Sequence, residues 1–152
     1  MDSAFLYEML AVAVDWRRET PRPATDVVAE PGIAKYVVGW PRDGDVGFIA
    51  EEGSVAVGAA WWRTFGTLDA GYGFVDEFTP EVSIGVVHRA RRRGVGRELL
   101  QALIHEAKRS GVPALSLSVE ADNPAASLYR RLGFAEVSNT GGATTMALRL
   151  MG

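Results

Sequence analysis

The chain has 152 residues, close to the usual length of one domain, and we expect residues 1–152 to form a single domain. Apolar residues make up 47% and charged residues 23% of it, which is typical of a globular protein and not of a disordered or fibrous one. The absence of cysteine excludes a disulfide scaffold, a thiolate metal site and a cysteine nucleophile. Two histidines are too few for a histidine-rich centre, so we expect no metal.

Nothing in the sequence indicates membrane insertion or export. No stretch approaches the ~18 apolar residues that a membrane span needs. The first residues, Met1-Asp2-Ser3, lack the basic segment of a signal peptide. We therefore expect a cytoplasmic protein that does not bind membranes.

The net charge of −3 conceals an uneven distribution. Residues 1–81 carry 14 acidic and 6 basic side chains, whereas residues 82–152 carry 5 acidic and 10 basic ones. Five of these basic side chains are arginines between positions 89 and 97. The two halves either face ligands of opposite charge or are solvated surfaces of different composition, and charge alone does not decide between these readings.

The N-terminal part of the chain predicts helices followed by a hairpin. Apolar residues recur at helical spacing from 5 to 14, with Asp2 or Ser3 as the helix cap. A second, broken helix is expected over residues 25–36. Two segments rich in Val, Ile, Ala and aromatic residues then predict strands joined by a tight turn, at 46–51 and 54–65.

The rest of the chain predicts a long loop and alternating strands and helices. The loop covers residues 66–80. Strands are expected at 81–87 and 114–120, the latter half-buried because apolar and polar residues alternate in it. Helices are expected at 94–110 and from Asn123-Pro124 to Gly133, and a final strand pair at 134–137 and 144–150. The order α-α-β-β-β-α-β-α-β-β predicts a mixed α/β fold on one sheet.

A glycine-rich segment joins the third predicted strand to the following helix. It reads Arg91-Arg92-Arg93-Gly94-Val95-Gly96-Arg97. Its glycines let backbone N–H groups turn toward a ligand, and the helix directs its positive dipole end to the same place, which suits a phosphate or pyrophosphate. A P-loop would need Gly-Lys-Ser/Thr, and a dinucleotide fingerprint would need glycine where Leu99 stands, so neither motif fits.

This segment resembles the acyl-CoA loop of the GNAT family of N-acetyltransferases, whose pattern is Gln/Arg-x-x-Gly-x-Gly/Ala. A second match lies about thirty residues further on, where a strand, Asn123, a helix containing Ala126 and Tyr129, and then Gly133-Phe134 follow one another. Two motifs in the family's order and spacing make the resemblance specific. It covers residues 45–150, whereas the first 44 residues resemble only the family's two-helix start.

The resemblance implies the acyl-CoA N-acyltransferase fold, with a single central, mostly antiparallel sheet, a splayed parallel strand pair and flanking helices. The chain starts almost directly at its first helix, which leaves open whether the sheet has the family's first edge strand. The resemblance also implies acetyl-CoA as the cosubstrate. The residues it implies for binding are the strand residues Ile84, Gly85 and Val86, the loop residues Arg91, Arg92, Arg93, Gly94, Val95, Gly96 and Arg97, and Asn123.

The resemblance also assigns roles in catalysis. It implies that the Val86 region polarises the thioester carbonyl through a backbone N–H, and that Tyr129 is the general acid that protonates the departing CoA thiolate. The alternatives are a core packing role for Tyr129 and a plain helix cap for Asn123. Peptide N-terminal acetyltransferases of the family have a glutamate base where Ser118 stands here. We expect Glu81 as the base, with Glu120 or a water molecule as alternatives.

The acceptor is the least determined part of the prediction. Acidic residues in and after the loop suit a cationic amine; they are Asp69, Asp76, Glu77 and Glu81. Aromatic residues line an acceptor pocket or pack in the core; they are Trp61, Trp62, Tyr72, Phe74 and Phe78. A small cationic amine and a peptide amine both stay open, as does a homodimer.

We therefore expect an acetyl-CoA-dependent N-acetyltransferase that transfers acetyl to a primary amine by direct attack in a ternary complex. There is no cysteine for an acyl-enzyme and no recognisable serine triad. The main alternative is a catalytically silent acyl-CoA-binding or regulatory module of the same fold. An RNA-binding role for the arginine cluster is disfavoured by a sequence pI near 5.4 and the lack of an RNA-recognition motif, so no nucleic-acid partner is expected.

Overall fold

The computed structural model describes residues 3–151, which divide into two compact units. The first unit comprises the chain up to residue 63 together with 83–103, and the second comprises 64–82 together with the chain from 104 onward. The candidate cap Asp2 lies outside the described residues. The expectation that 1–152 form a single domain stays a prediction.

The elements follow the predicted order. In the chain they are α1 (Ser3–Val14), α2 (Ala24–Val27), α3 (Pro31–Ala34), β1 (Val46–Glu52), β2 (Val55–Arg63), β3 (Glu81–Val86), a 3-10 turn (His88–Ala90), α4 (Val95–Arg109), β4 (Ala114–Glu120), α5 (Ala125–Arg131), β5 (Ala135–Thr140) and β6 (Ala143–Arg149). The broken helix expected at 25–36 is two short helices, because Pro31 occupies the first turn of α3, where its missing N–H costs nothing.

Strand β3 is shared by the two units, and the six strands follow the order β1-β2-β3-β4-β6-β5. The β1–β2, β4–β6 and β5–β6 pairs are antiparallel, whereas β3 and β4 are parallel, with Glu81 opposite Ser116. This mixed α/β architecture, mostly antiparallel with one parallel pair, confirms the predicted fold class. Within residues 3–151 the first element is helix α1, and no helix is long and apolar enough to cross a membrane.

In the first unit, two glycines allow close packing around β3. A Cβ atom on Gly85 would collide with the backbone carbonyl oxygen of Met9, so α1 lies directly on the strand. A Cβ on Gly58 of β2 would lie 3.1 Å from the Gly85 oxygen and 3.2 Å from Cδ1 of Leu99 in α4. Both glycines therefore serve helix–strand packing rather than a turn.

A buried ion pair in the first unit joins the end of β2 to the segment before β1. The Arg63 and Asp45 side chains are each 1% exposed, with the Arg63 Nη2 atom 2.7 Å from Asp45 Oδ2. Arg63 Nη1 also donates to the carbonyl oxygens of Lys35 and Val38, at 3.0 and 2.7 Å. One guanidinium thus satisfies a carboxylate and the carbonyl groups that follow α3.

In the second unit, strand β4 is more deeply buried than predicted. The alternating pattern predicted a polar, solvated face, yet Ser116 is fully buried. Helix α5 packs against β4, and a Cβ on Gly73 of the long loop would lie 2.6 Å from the carbonyl carbon of Leu117. The half-buried prediction is wrong at Ser116 because the loop packs on this strand, a contact that periodicity does not record.

We predict that Asp45→Asn destabilises the protein by about 3–5 kcal/mol, because it leaves the buried Arg63 guanidinium without its counter-charge. Chemical denaturation of the wild type and the variant measures the difference. Asp43→Asn is the matched control, since it makes the same chemical change at an exposed position two residues earlier. Equal unfolding free energies for the two variants would contradict the assignment of the pair as a stabilising contact.

Candidate active site

The segment between β3 and α4 turns through two left-handed residues. Arg92 has φ +65° and is the sole non-glycine residue with positive φ among residues 3–151, and Gly94 has φ +81°. A side chain in this conformation is strained, and such strain concentrates at functional sites. A Cβ on Gly94 would meet no atom within 4 Å, so the space in front of this turn is open.

Helix α4 begins at this turn with free backbone donors. Its first hydrogen bond runs from the Glu98 N–H to the Gly94 carbonyl, at 3.0 Å. The N–H groups of Val95, Gly96 and Arg97 therefore precede the helical ladder and have no acceptor within it. With the helix dipole they form a site suited to a phosphate or pyrophosphate. The residues in this turn fit the phosphates of a coenzyme A molecule.

The arginine side chains of this segment differ in their contacts and in their exposure. Arg93 Nη1 is 3.0 Å from Oε1 of Glu52, in an exposed ion pair. Arg91 folds back, with Nε donating to the Val86 carbonyl oxygen at 3.3 Å and Nη1 to that of Trp16 at 3.2 Å. Arg92 is exposed. The Arg91 N–H donates to the His88 carbonyl oxygen at 3.2 Å, so the backbone donors left for an anion lie further along the run, toward the start of α4, and the Arg91 side chain has a separate environment.

The strand residues assigned to the cosubstrate lie in the same unit as this turn. Ile84 and Val86 are half-buried and Gly85 is buried. Directly after the strand, the Val87 N–H donates to the Val57 carbonyl oxygen of β2 at 2.9 Å. The first unit thus contains both the assigned strand residues and the turn at Arg92 and Gly94.

Tyr129 lies in the second unit, on the last turn of α5. Its ring packs at a tilt of 59° against Phe134, with 6.1 Å between ring centroids. Gly133, with φ +107°, ends the helix and lets the Phe134 N–H bond to the Tyr129 carbonyl oxygen at 3.0 Å. Burial raises the pKa of the Tyr129 phenol well above its usual value, because the phenolate is poorly solvated there. The side chain stays protonated, as a proton donor must.

Asn123 has the position that the sequence predicts for a helix cap. Its Oδ1 accepts a hydrogen bond from the Ala125 N–H at 3.0 Å. The cap satisfies one of the donors at the start of α5. Its side-chain nitrogen is not engaged by this bond, so a contact with a pantetheine arm stays a prediction.

Glu81 is buried and does not lie at a solvated strand end. It is 3% exposed, and its Oε2 accepts a hydrogen bond from the Gly73 N–H at 3.0 Å. The missing Cβ of Gly73 lets the loop pack on the backbone of Leu117 and Ser118. The carboxylate therefore fixes the loop at the point where it touches β4. The alternative base, Glu120, is half-buried at the end of the same strand.

The long loop uses two of its acidic side chains in its own turns. Asp69 Oδ1 accepts from the Gly66 N–H at 2.7 Å, and Asp76 Oδ1 accepts from the Phe78 N–H at 2.8 Å. Large apolar side chains are exposed on this loop, at Leu68, Tyr72, Val75 and Phe78. By contrast, Trp61 and Trp62 are core residues of the first unit. Tyr72 and Phe78 are the aromatic residues of the predicted set that stay on the surface.

Sequence reasoning missed three features of these units. It placed Gly73 in a loop but did not predict that this residue contacts β4. The sequence signal for such a contact is a glycine between two aromatic residues, Tyr72 and Phe74. It missed the approach of the Met9 carbonyl to Gly85, for which a glycine inside a strand is a signal. It also missed the bond from Arg91 to the Trp16 carbonyl, which joins positions 75 apart and leaves no mark in local sequence.

Comparison with known proteins places these motifs in one family. The family model described as the acetyltransferase (GNAT) family matches residues 8–134. Two curated relatives are a mycothiol acetyltransferase from Nocardioides sp., 36% identical over 87 residues, and an L-methionine sulfoximine/L-methionine sulfone acetyltransferase from Salmonella typhimurium, 33% identical over 102 residues. The matches cover 56% and 66% of this chain but only 30% and 54% of the relatives.

Solved structures agree with the family match. The ribosomal-protein-alanine N-acetyltransferase from Brucella melitensis is 28% identical, with a TM-score of 0.69 and coverage of 98% of this chain and 94% of that one. YncA from Salmonella typhimurium, solved with its cofactor acetyl-CoA, is 25% identical, with a TM-score of 0.67 and coverage of 100% and 92%. The matched region contains both sequence motifs and the turn that begins α4, and the chain belongs to the acetyltransferase (GNAT) family.

Proposed function

We propose that the protein is an acetyl-CoA-dependent N-acetyltransferase that acetylates a primary amine by direct attack in a ternary complex. The observation that carries the proposal is the turn at Arg92 and Gly94, which frees the first N–H groups of α4 for an anion. Family membership and the names of the relatives, all acetyltransferases, support the activity. Acetyl-CoA supplies the activated acetyl group when bound.

The chain's residues divide the chemistry into binding, polarisation and proton transfer. The N–H groups from Gly94 to Arg97 hold the pyrophosphate, and the strand residues Ile84 to Val86 pair with the pantetheine arm. A backbone N–H near Val86 stabilises the negative charge that develops on the thioester oxygen as the new C–N bond forms. Asn123 contributes to positioning the arm.

Two side chains move protons. The attacking amine must lose a proton, which Glu81 accepts directly or through a water molecule. When the C–S bond breaks, the Tyr129 hydroxyl donates its proton to the leaving sulfur. The raised pKa of Tyr129 keeps this proton in place across the pH range of the assay. Direct attack needs no acyl-enzyme, consistent with a chain that has no cysteine.

Calorimetric titration tests cosubstrate binding, with ATP as the competing phosphate ligand. We expect micromolar binding of acetyl-CoA and no binding of ATP.

We predict that Gly94→Ala weakens acetyl-CoA binding about tenfold, because an L-residue at φ +81° costs about 1–2 kcal/mol and shifts the turn. Gly111→Ala is the matched control, since Gly111 has φ +75° and open space around it but ends α4. Equal loss of affinity in both variants would refute the anion site.

We predict that Tyr129→Phe lowers kcat about 10²-fold, the usual minimum contribution of a general acid, and leaves the Kd of acetyl-CoA unchanged. Phenylalanine keeps the ring packing against Phe134. Since burial raises the pKa of Tyr129, the wild-type activity should show no loss from its ionisation up to pH 10. Unchanged turnover in the variant would remove Tyr129 from the mechanism. Acetyl-CoA binding without turnover on any amine would favour the silent module.

We predict that Glu81→Gln lowers kcat about 10²-fold but changes the unfolding free energy by less than about 1 kcal/mol, because glutamine keeps an oxygen for the Gly73 N–H. Glu81→Ala should lower stability by about 1–3 kcal/mol, since it leaves that buried donor without its acceptor. Steady-state kinetics and chemical denaturation measure both quantities. Full activity in the glutamine variant would leave Glu81 as a loop anchor only.

A further inference from the structure

The first unit contains a cavity whose wall includes Arg91 but none of the other residues assigned above to binding or catalysis. It has a volume of about 750 Å³, within the range of small-molecule sites. Three segments form its wall: one side of α1 from Glu8 to Val12, the chain from 18 to 25, and the chain from 87 to 91. This size suits a small molecule rather than a single ion.

Arg91 gives the cavity an uncompensated positive charge. Its guanidinium donates to two backbone carbonyl groups, those of Trp16 and Val86, and forms no ion pair with a carboxylate of residues 3–151. A guanidinium has five N–H donors, so donor capacity remains. The side chain is half-buried, and desolvation lowers its pKa, although an arginine stays charged at neutral pH. A half-buried cation without a counter-charge favours an anionic ligand.

Another of the four arginines in this wall, Arg22, shows the contrast. Arg22 Nε and Nη2 donate to the two oxygens of Asp15, at 2.9 and 3.0 Å, and Arg22 Nη1 lies 3.4 Å from Glu30. The hydrogen bond from Arg22 lowers the pKa of Asp15, which marks a satisfied pair. Arg22 is thus neutralised by the protein itself. Arg18 and Arg89 of the same wall are exposed, so Arg91 is the half-buried arginine of the wall that pairs with backbone carbonyl groups and not with a carboxylate.

The rest of the wall narrows the class of ligand. Met9 and Val12 contribute apolar surface, and the exposed side chains at the rim carry both signs of charge, from Glu8 and Glu19 and from Arg18 and Arg89. A carboxylate matches Arg91 and a short hydrocarbon part matches the apolar wall, while the proposed reaction itself requires an amine. Phosphate has a better partner in the N–H groups at the start of α4, whereas the planar guanidinium suits the two oxygens of a carboxylate.

We infer that this cavity binds an amino-acid acceptor, with Arg91 holding its carboxylate. The inference rests on the proposed function and specifies its acceptor class. Arg91 then acts through its side chain on the acceptor, whereas its backbone N–H donates to the His88 carbonyl oxygen at 3.2 Å, just before the turn proposed to bind the phosphates.

The test compares each amino acid with the amine that lacks its carboxylate. The pairs are L-leucine with 3-methylbutylamine, L-phenylalanine with 2-phenylethylamine, and L-methionine with 3-(methylthio)propylamine. The release of free CoA thiol gives kcat/KM for each. We expect the wild type to prefer an amino acid at least about tenfold over its amine, as an arginine–carboxylate bond allows. In Arg91→Gln the ratio falls about tenfold, and Arg91→Lys retains part of it.

The ratio within each pair is the informative quantity, because an effect of Arg91 on acetyl-CoA cancels in it. Arg42→Gln is the control, since it removes one exposed charge of the same unit outside the cavity wall and should keep the ratio. A wild type that acetylates the amines as well as the amino acids, or an unchanged ratio in Arg91→Gln, overturns the inference and leaves the proposed function intact.

If neither member of any pair is acetylated, binding decides the question. Calorimetric titration of the same amino acids and amines into CoA-saturated protein then reports on the cavity without turnover. Binding of an amino acid that is lost in Arg91→Gln supports the inference while the proposed activity fails. No binding of any amino acid overturns it.

Discussion

The constraint on which the first unit depends is the left-handed turn at Arg92 and Gly94. Strand β3 ends at Val86, a 3-10 turn follows at His88–Ala90, and α4 begins at Val95 directly after the left-handed turn. As at the start of every helix, the first N–H groups of α4 have no helical acceptors, and the open turn before them leaves these donors accessible to the anion that we propose. A strained, non-glycine residue is kept where a ligand would have to approach the backbone.

Buried charges hold the irregular parts of both units in place. Arg63 and Asp45 fix the segment before β1, and Glu81 fixes the long loop through the Gly73 N–H. A buried carboxylate that accepts a hydrogen bond from a backbone N–H stabilises the fold, whether or not it also takes part in catalysis. For Glu81 this does not exclude proton transfer, but it means that a loss of activity has to be separated from a loss of loop packing.

Features with local signals were predictable from the sequence. Asn123 caps the start of α5, Gly133 ends this helix, and Gly53 forms the turn of the β1–β2 hairpin. These features could be predicted because helix caps and turns depend on neighbouring residues. Contacts between distant residues were not predictable. The burial of Ser116 depends on the loop and helix that cover β4, and the Arg91–Trp16 bond depends on where α1 ends. The turn at Arg92 and Gly94 could be predicted as a phosphate site because the glycine motif is contiguous in the sequence, and anion binding there stays a prediction.

Arg91 is the residue that the proposals for the two ligands share. Its backbone begins the Arg-x-x-Gly-x-Gly segment, and its side chain turns toward the end of α1 and the cavity wall. The carbonyl groups of Trp16 and Val86 fix the guanidinium plane, so that a carboxylate would meet a preorganised fork rather than a flexible side chain. Because one of these two hydrogen bonds goes to the Val86 carbonyl oxygen, the position of the Arg91 guanidinium depends on β3, the strand that is assigned to the pantetheine arm. A change at Arg91 should therefore alter cosubstrate and acceptor together, which is why acceptor selectivity, rather than rate, isolates the role of its side chain.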